Sequence, residues 1–177
     1  GAPLFLMIGK IFSLFASKPE NIAYAVNVSS ALTSAATIMF LFWTITHFAK
    51  RILVAKSGAE LTSNQILLVM GAGVVGALAY TFSESFWYSA VEGEVYAMSS
   101  LFTAAIFWAI LKWDEESDAV KFGELVHHKS STRWLILIMF LFGLAIGVHL
   151  LGLLVIPAIA YAYLVFYGIR MKKLGEN

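Results

Sequence analysis

The chain has 177 residues, of which 60% are apolar and 13% charged, with a formal net charge of +1. An ordinary soluble domain is about 45–50% apolar and about 25% charged. That deficit of charge, with a mean hydropathy of +0.81, excludes a disordered chain, a nucleic-acid-binding domain and an ordinary soluble enzyme. A chain this apolar is expected to put most of its surface in lipid. It contains no cysteine, which removes disulfides, thiolate metal sites and cysteine nucleophiles from consideration.

The sequence opens at Gly1 rather than methionine. It lacks the basic stretch, short apolar core and cleavage site of a signal peptide. Gly1-Ala2-Pro3 runs straight into apolar residues, so the chain is expected to be a piece of a larger membrane protein. Residues 4–15 are apolar but too short to span, and Lys10 interrupts them. They predict a short interfacial helix within 1–17, or one packed on the bundle from outside.

A membrane-spanning helix needs about 20 apolar residues. Residues 22–48 carry no Asp, Glu, Lys or Arg, and their Asn27, Ser29, Ser30, Thr33, Ser34 and Thr37 predict a helix packed against others. Residues 61–82 and 95–111 are two further spans. Residues 134–167 form one uncharged run, which as a single helix would be about 50 Å long. The hydrocarbon core is about 30 Å thick. Gly147, His149 and Gly152 mark a turn within the run. Charge placement favours the turn as well, since Lys and Arg gather in cytoplasmic loops. Basic residues lie at 50–60 (Lys50, Arg51, Lys56), at 112–133 (Lys112, Lys121, Lys129, Arg133) and in the tail (Arg170, Lys172, Lys173). The segment 83–94 has none, and instead carries Glu84, Glu92 and Glu94. A hairpin puts every basic segment on one side. The expected fold is therefore an all-α polytopic bundle of about five spans: 22–48, 61–82, 95–111, 134–148 and 150–168. Trp113 and Trp134 are expected as interfacial anchors around a cytoplasmic connector over 112–133, which is polar and helical in pattern. His127 and His128 lie in that connector, and adjacent residues do not share a helix face, which argues against a metal site.

Residues 71–76 read Gly-Ala-Gly-Val-Val-Gly, a literal G-x-G-x-x-G with Glu92 and Glu94 about a ribose-binding distance downstream. The context denies a dinucleotide site, because the flanking segments are long, charge-free and apolar on every face. Close helix packing through Ala72, Gly73, Gly76 and Ala77 is the expected use.

The chemistry is expected at 83–94 and His149. Three carboxylates and the aromatics Phe86, Trp87, Tyr88 and Tyr96 gather at the predicted outer face. Carboxylates there can act as a base, accept from sugar hydroxyls or bind metal, and aromatic faces can stack on a sugar. An acidic outer loop with interfacial aromatics is the plain alternative. His149 interrupts an apolar run, where an ionisable residue usually faces the bundle interior or a cavity; it can pair with a phosphate or with one of the glutamates, and a histidine hydrogen-bonded to a helix end is the plain alternative. His47 is expected near the inner interface.

Three stretches carry a resemblance: Gly1-Ala2-Pro3-Leu4-Phe5, the run from Phe86 to Ala97 with its Glu94-Val95-Tyr96, and Gly147-Val148-His149-Leu150-Leu151. Together they resemble the bacterial domain of unknown function 2723 family. That family is similar to eukaryotic protein O-mannosyltransferases and is placed among the GT-C glycosyltransferases. The resemblance implies a polytopic enzyme of the bacterial inner membrane, with its active site on the extracytoplasmic face. It implies a polyprenyl-phosphate-linked sugar as donor, mannose among the candidates, and a protein hydroxyl as acceptor. The family's base lies in a first outer loop upstream of Gly1, so no catalytic residue is carried over and these residues alone are not expected to catalyse. Glu92, Glu94, Tyr96 and His149 match the family pattern and are the candidate substrate-binding residues, with Glu84 and Trp87 beside them. No metal site, resident cofactor or nucleic-acid partner is expected; the implied partners are membrane lipid, the lipid-linked donor and the acceptor protein. A secondary transporter or a structural membrane subunit is the alternative.

Overall fold

The computed structural model describes residues 2–57, 60–121, 128–161 and 164. Among the described residues, six bounded α-helices carry the fold: α1 (Pro3–Ser13), α2 (Ile22–Ser57), α3 (Ser63–Thr81), α4 (Glu84–Val91), α5 (Val95–Lys121) and α6 (His128–Val148), with further helix over 156–161. Short 3-10 turns cover Pro19–Asn21 and Leu150–Val155. No strand occurs among the described residues, and the chain is an all-α membrane helix bundle. Among the described residues, three helices are long and apolar enough to cross a membrane: Pro19–Val54, Ser63–Thr81 and Val95–Glu116. The fourth and fifth expected spans correspond to shorter apolar helices, Thr132–Val148 and Leu150–Tyr161. Residues 162–163 and 165–168 of the fifth lie outside the described residues.

Helix boundaries differ from the sequence expectation in one direction. Helix α2 runs through the basic residues expected to form the 50–60 loop, as far as Ser57. Helix α5 runs ten residues past the expected end of its span, to Lys121. Segment 83–94, expected as a loop, holds α4. Charge marks where a chain meets water, but Lys, Arg and Glu are good helix formers, so the helices continue beyond the apolar stretch. His127 and the rest of 122–127 lie outside the described residues.

Helix α2 is the central element. Its hydroxyl stripe is buried: Ser29, Ser30, Ser34 and Thr37 are 1–4% exposed. Hydroxyls on the helix return to its own backbone, Ser29 donating to the Val26 carbonyl at 2.7 Å and Thr37 to that of Thr33 at 2.8 Å. Ser29 and Thr37 are satisfied in this way, whereas the buried hydroxyls of Ser30 and Ser34 find no hydrogen-bond partner among the described residues; all four side chains are short enough to let neighbouring helices come close.

Helix α3 starts at a capping box, with Thr62 accepting from the Gln65 backbone and the Gln65 side chain accepting from Thr62. Two of its glycines, Gly73 and Gly76, are packing residues, as expected from the apolar context. A Cβ at Gly73 would fall 2.6 Å from the Thr46 methyl and 2.7 Å from the Phe42 ring on α2. A Cβ at Gly76 would meet the end of Ile45. Gly71 has nothing within 4 Å, and Ala72 is exposed, so neither belongs to the seam. Gly73→Ala is therefore expected to cost about 1–3 kcal/mol by overpacking. Gly71→Ala should be neutral or slightly stabilising, because alanine favours a helix over glycine by about 1 kcal/mol. Thermal melts of the two variants in detergent check the contrast.

The main apolar core joins α5, α6 and the chain after His149. Ile106, Ala109, Ile110 and Trp113 of α5 meet Ile138 and Ala145 of α6 and Val155. The α5 residues follow helical spacing i, i+3, i+4, i+7. Trp113, expected as an interfacial anchor, is thus 4% exposed inside the core, because α5 continues and carries it onto the face that meets α6. The uncharged run 134–167 is broken at the expected place. Helix α6 ends at Val148, His149 is extended (φ −162°, ψ 149°), and a 3-10 turn follows. Pro157 falls in the first turn of the helix after it, a position proline tolerates. Ala158 and Ile159 then pack on the core that includes Ile138 and Trp113.

Candidate functional site

Polar and titratable groups collect at the two ends of the bundle. At one end, Arg51 Nη1 meets Asp114 Oδ2 at 2.7 Å and His47 Nδ1 meets Glu115 Oε1 at 3.0 Å, both joining α2 to α5. Lys112 Nζ lies 2.7 Å from Glu115 Oε2. Trp134 Nε1 donates to Glu116 Oε1 at 2.7 Å, tying α6 to the same place. Phe40, Trp43, Trp108 and Trp134 form a continuous ring cluster beneath, with centroids 5.4–5.6 Å apart. His47, expected at the interface, has a side chain only 10% exposed. Its i, i+4 spacing with Arg51 puts both on the face that meets α5. Residues from the first two basic segments therefore share one end, as charge placement required; the basic tail lies outside the described residues.

The other end holds the acidic segment. Ser83 leaves α3 in an extended conformation, and its hydroxyl donates to the Tyr80 carbonyl at 2.8 Å. Phe86 of α4 is 5% exposed and packs against Tyr80 with centroids 4.6 Å apart. Trp87 stacks on Phe82 at 6.1 Å. These two contacts seat α4 while Glu84, Trp87 and Tyr88 stay exposed. The chain then turns through Glu92-Gly93-Glu94, the Glu94 N–H donating to the Glu92 carbonyl at 2.9 Å. A Cβ at Gly93 would lie 2.9 Å from Asn27 Oδ1 and 2.9 Å from Val26 Cγ1. Glycine is what lets this turn rest on the first turns of α2, with exposed glutamates on either side of the contact.

Helix α5 begins at Val95, and Tyr96 stands at its start, 46% exposed. Its ring is 5.7 Å from that of His149, tilted by 56°. His149 is held by its own backbone and ring. Its N–H closes α6 on the Ala145 carbonyl at 3.0 Å, and its carbonyl accepts from Gly152 at 3.1 Å. Its Nδ1 accepts from the Leu151 N–H at 3.1 Å. Two residues away, a Cβ on Gly147 would be 3.7 Å from Leu4 Cβ, so the start of α1 reaches the same end. At about 1.5 Å per residue, Tyr96 and Asp114 are about 27 Å apart along α5. That approaches the roughly 30 Å of a hydrocarbon core.

The structure therefore brings Tyr96 and His149 together and places Glu92 and Glu94 in the turn that leads into Tyr96. Glu84 and Trp87 are on α4, where Trp87 is engaged with Phe82 rather than with the histidine. Asn27 is a residue that sequence reasoning assigned to packing alone. It is half-buried and touches the glutamate turn through Gly93. Only the proximity of 93 to 27 reveals it, and no local pattern encodes that contact. Among the described residues, no group of three or more His, Asp or Glu is arranged to hold a metal ion.

An all-α membrane bundle with carboxylates, phenol and imidazole gathered at one end is the class of protein defined here. Residues 1–172 match the family model described as the protein O-mannosyl-transferase TMEM260 N-terminal domain. The chain belongs to that family, and so to a family of membrane protein glycosyltransferases. No curated protein and no solved structure matches it.

Proposed function

We propose that this chain is the membrane part of a GT-C-type glycosyltransferase, of the kind found in the domain of unknown function 2723 family. It takes a sugar, mannose by family likeness, from a polyprenyl-phosphate donor and places it on a protein hydroxyl. The reaction occurs at the extracytoplasmic face of a bacterial inner membrane, with the last two apolar helices crossing as a hairpin and α1 lying in the interface. The observation that carries this reading is the family match over residues 1–172. The separation of Arg51 and Lys112 from Glu92, Glu94 and His149 supports the orientation, since basic residues favour the cytoplasmic side.

In this reaction the acceptor oxygen attacks C1 of the sugar. The bond from C1 to the phosphate oxygen breaks, and its electron pair leaves with the lipid phosphate. The acceptor proton passes to a base. Glu92 and Glu94 accept hydrogen bonds from the sugar or acceptor hydroxyls and set their direction of approach. The imidazole meets the charge that grows on the departing phosphate, the place where a fixed donor helps most.

Transfer from a polyprenyl-phosphate sugar to an acceptor peptide, assayed on the full-length protein, tests the reading. Glu94→Gln removes the charge but keeps the shape, and is expected to lower transfer by at least tenfold while leaving the melting temperature unchanged. Full transfer by both Glu94→Gln and Glu92→Gln would remove the acidic turn from the site.

A further inference from the structure

His149 has two nitrogens, and they do two different jobs. Nδ1 accepts the Leu151 N–H at 3.1 Å. A nitrogen that accepts carries no proton, so the proton of the neutral ring sits on Nε2. The extended backbone of His149 is the conformation of a helix N-cap, and Nδ1 takes the place of the Ser, Asp or Asn oxygen usually found there. The ring is then fixed from both sides, by the backbone through Nδ1 and by the Tyr96 ring at 5.7 Å. The described residues offer Nε2 no partner. What the bundle presents beside Tyr96 is thus a single oriented N–H donor.

We infer that His149 acts through Nε2–H as a fixed hydrogen-bond donor to a phosphate-ester oxygen, while Nδ1 holds the ring by capping the turn that follows. This rests on the donor class proposed above and adds the donating atom and the ring's tautomer. It also limits the chemistry. While Nδ1 is bound to the Leu151 N–H, the neutral ring has no free acceptor nitrogen, so His149 is a donor to the leaving phosphate and not the base that takes the acceptor proton.

Two substitutions separate the jobs. His149→Asn keeps an oxygen where Nδ1 accepts, and asparagine is a good N-cap, but it has nothing at the reach of Nε2. His149→Gln reaches as far as Nε2 with an N–H and caps poorly. In the full-length protein, His149→Asn is expected to melt as the wild type does and to lose transfer about a hundredfold, mainly in kcat. His149→Gln is expected to melt lower yet retain more transfer than His149→Asn. The reverse order, with the asparagine variant active and the glutamine variant inactive, would show that only the cap matters and overturn the inference.

A readout independent of turnover uses nitrogen NMR on histidine-labelled full-length protein in micelles, with the His149 signals assigned by their loss in His149→Asn. Nε2 is expected to carry the proton, and its signal to move when polyprenyl phosphate is added. A proton on Nδ1, or no movement with that lipid, overturns the inference. Absence of transfer from the lipid-linked sugar by wild-type protein, with the NMR result intact, would instead overturn the proposed reaction.

Discussion

Gly152→Val is expected to be among the most damaging single substitutions in this chain, although residue 152 is not a candidate for touching any substrate. A Cβ at that position would lie 2.8 Å from Ala145 Cβ and 3.4 Å from the Ala145 carbonyl carbon. Side chains can rotate away from a clash, but the α6 backbone cannot. Overpacking of this kind costs about 1–3 kcal/mol, and a β-branched residue belongs at the upper end. The Gly152 N–H also donates to the His149 carbonyl, so the strain acts directly on the turn that holds the imidazole. Melting of the full-length protein should fall by several degrees. Transfer should fall with it. Gly143→Ala is the control, because nothing lies within 4 Å of a Cβ there.

The second large effect is on rate. His149→Ala removes both the cap and the donor. Loss of one fixed donor to a developing oxyanion lowers kcat about 100–1,000-fold. Loss of an N-cap costs about 1 kcal/mol of stability. The variant should therefore melt modestly lower while transfer falls by two orders of magnitude or more. Proportionate loss of the two, after correcting for the folded fraction, would assign His149 to the fold alone.

Much of the architecture is legible in the residues. The uncharged runs 22–48, 61–82 and 95–111 locate the three long apolar helices, and Gly147, His149 and Gly152 locate the break. The glycines at 73 and 76 read correctly as a seam because their surroundings are apolar on every face. The helix ends were not legible from charge. Asp114, Glu115 and Glu116 end the apolar span and open a connector of helical pattern; they extend α5 and, which charge alone did not show, meet Arg51, His47 and Trp134 across the bundle. A carboxylate is compatible with helix wherever water or a cation reaches it. Ser83 followed by Glu84 is a helix-start signal, and it is the one local sign that 83–94 holds α4. The pairing of Tyr96 with His149 could be expected only as a shared end of the bundle. Their ring contact and the hydrogen bond to His149 Nδ1 follow from the turn at Leu150–Val155, which forms through long-range packing on Ala145 and Ile106. For the same reason Asn27 gave no warning: its neighbour Gly93 is distant in sequence and close only after α2, α4 and α5 assemble.

The proposed site requires one sidedness of the bundle, and residues 1–177 supply no native cysteine to confuse its measurement. Single cysteines at Glu84 and Leu150 on one end, and at Glu60 and Asp114 toward the other, can be challenged in intact cells with a membrane-impermeant maleimide. With the acidic end outside, the first pair is labelled from outside and the second only after the membrane is opened. Labelling of Glu84→Cys and Leu150→Cys from opposite sides, or of both only from the cytosol, would contradict that sidedness.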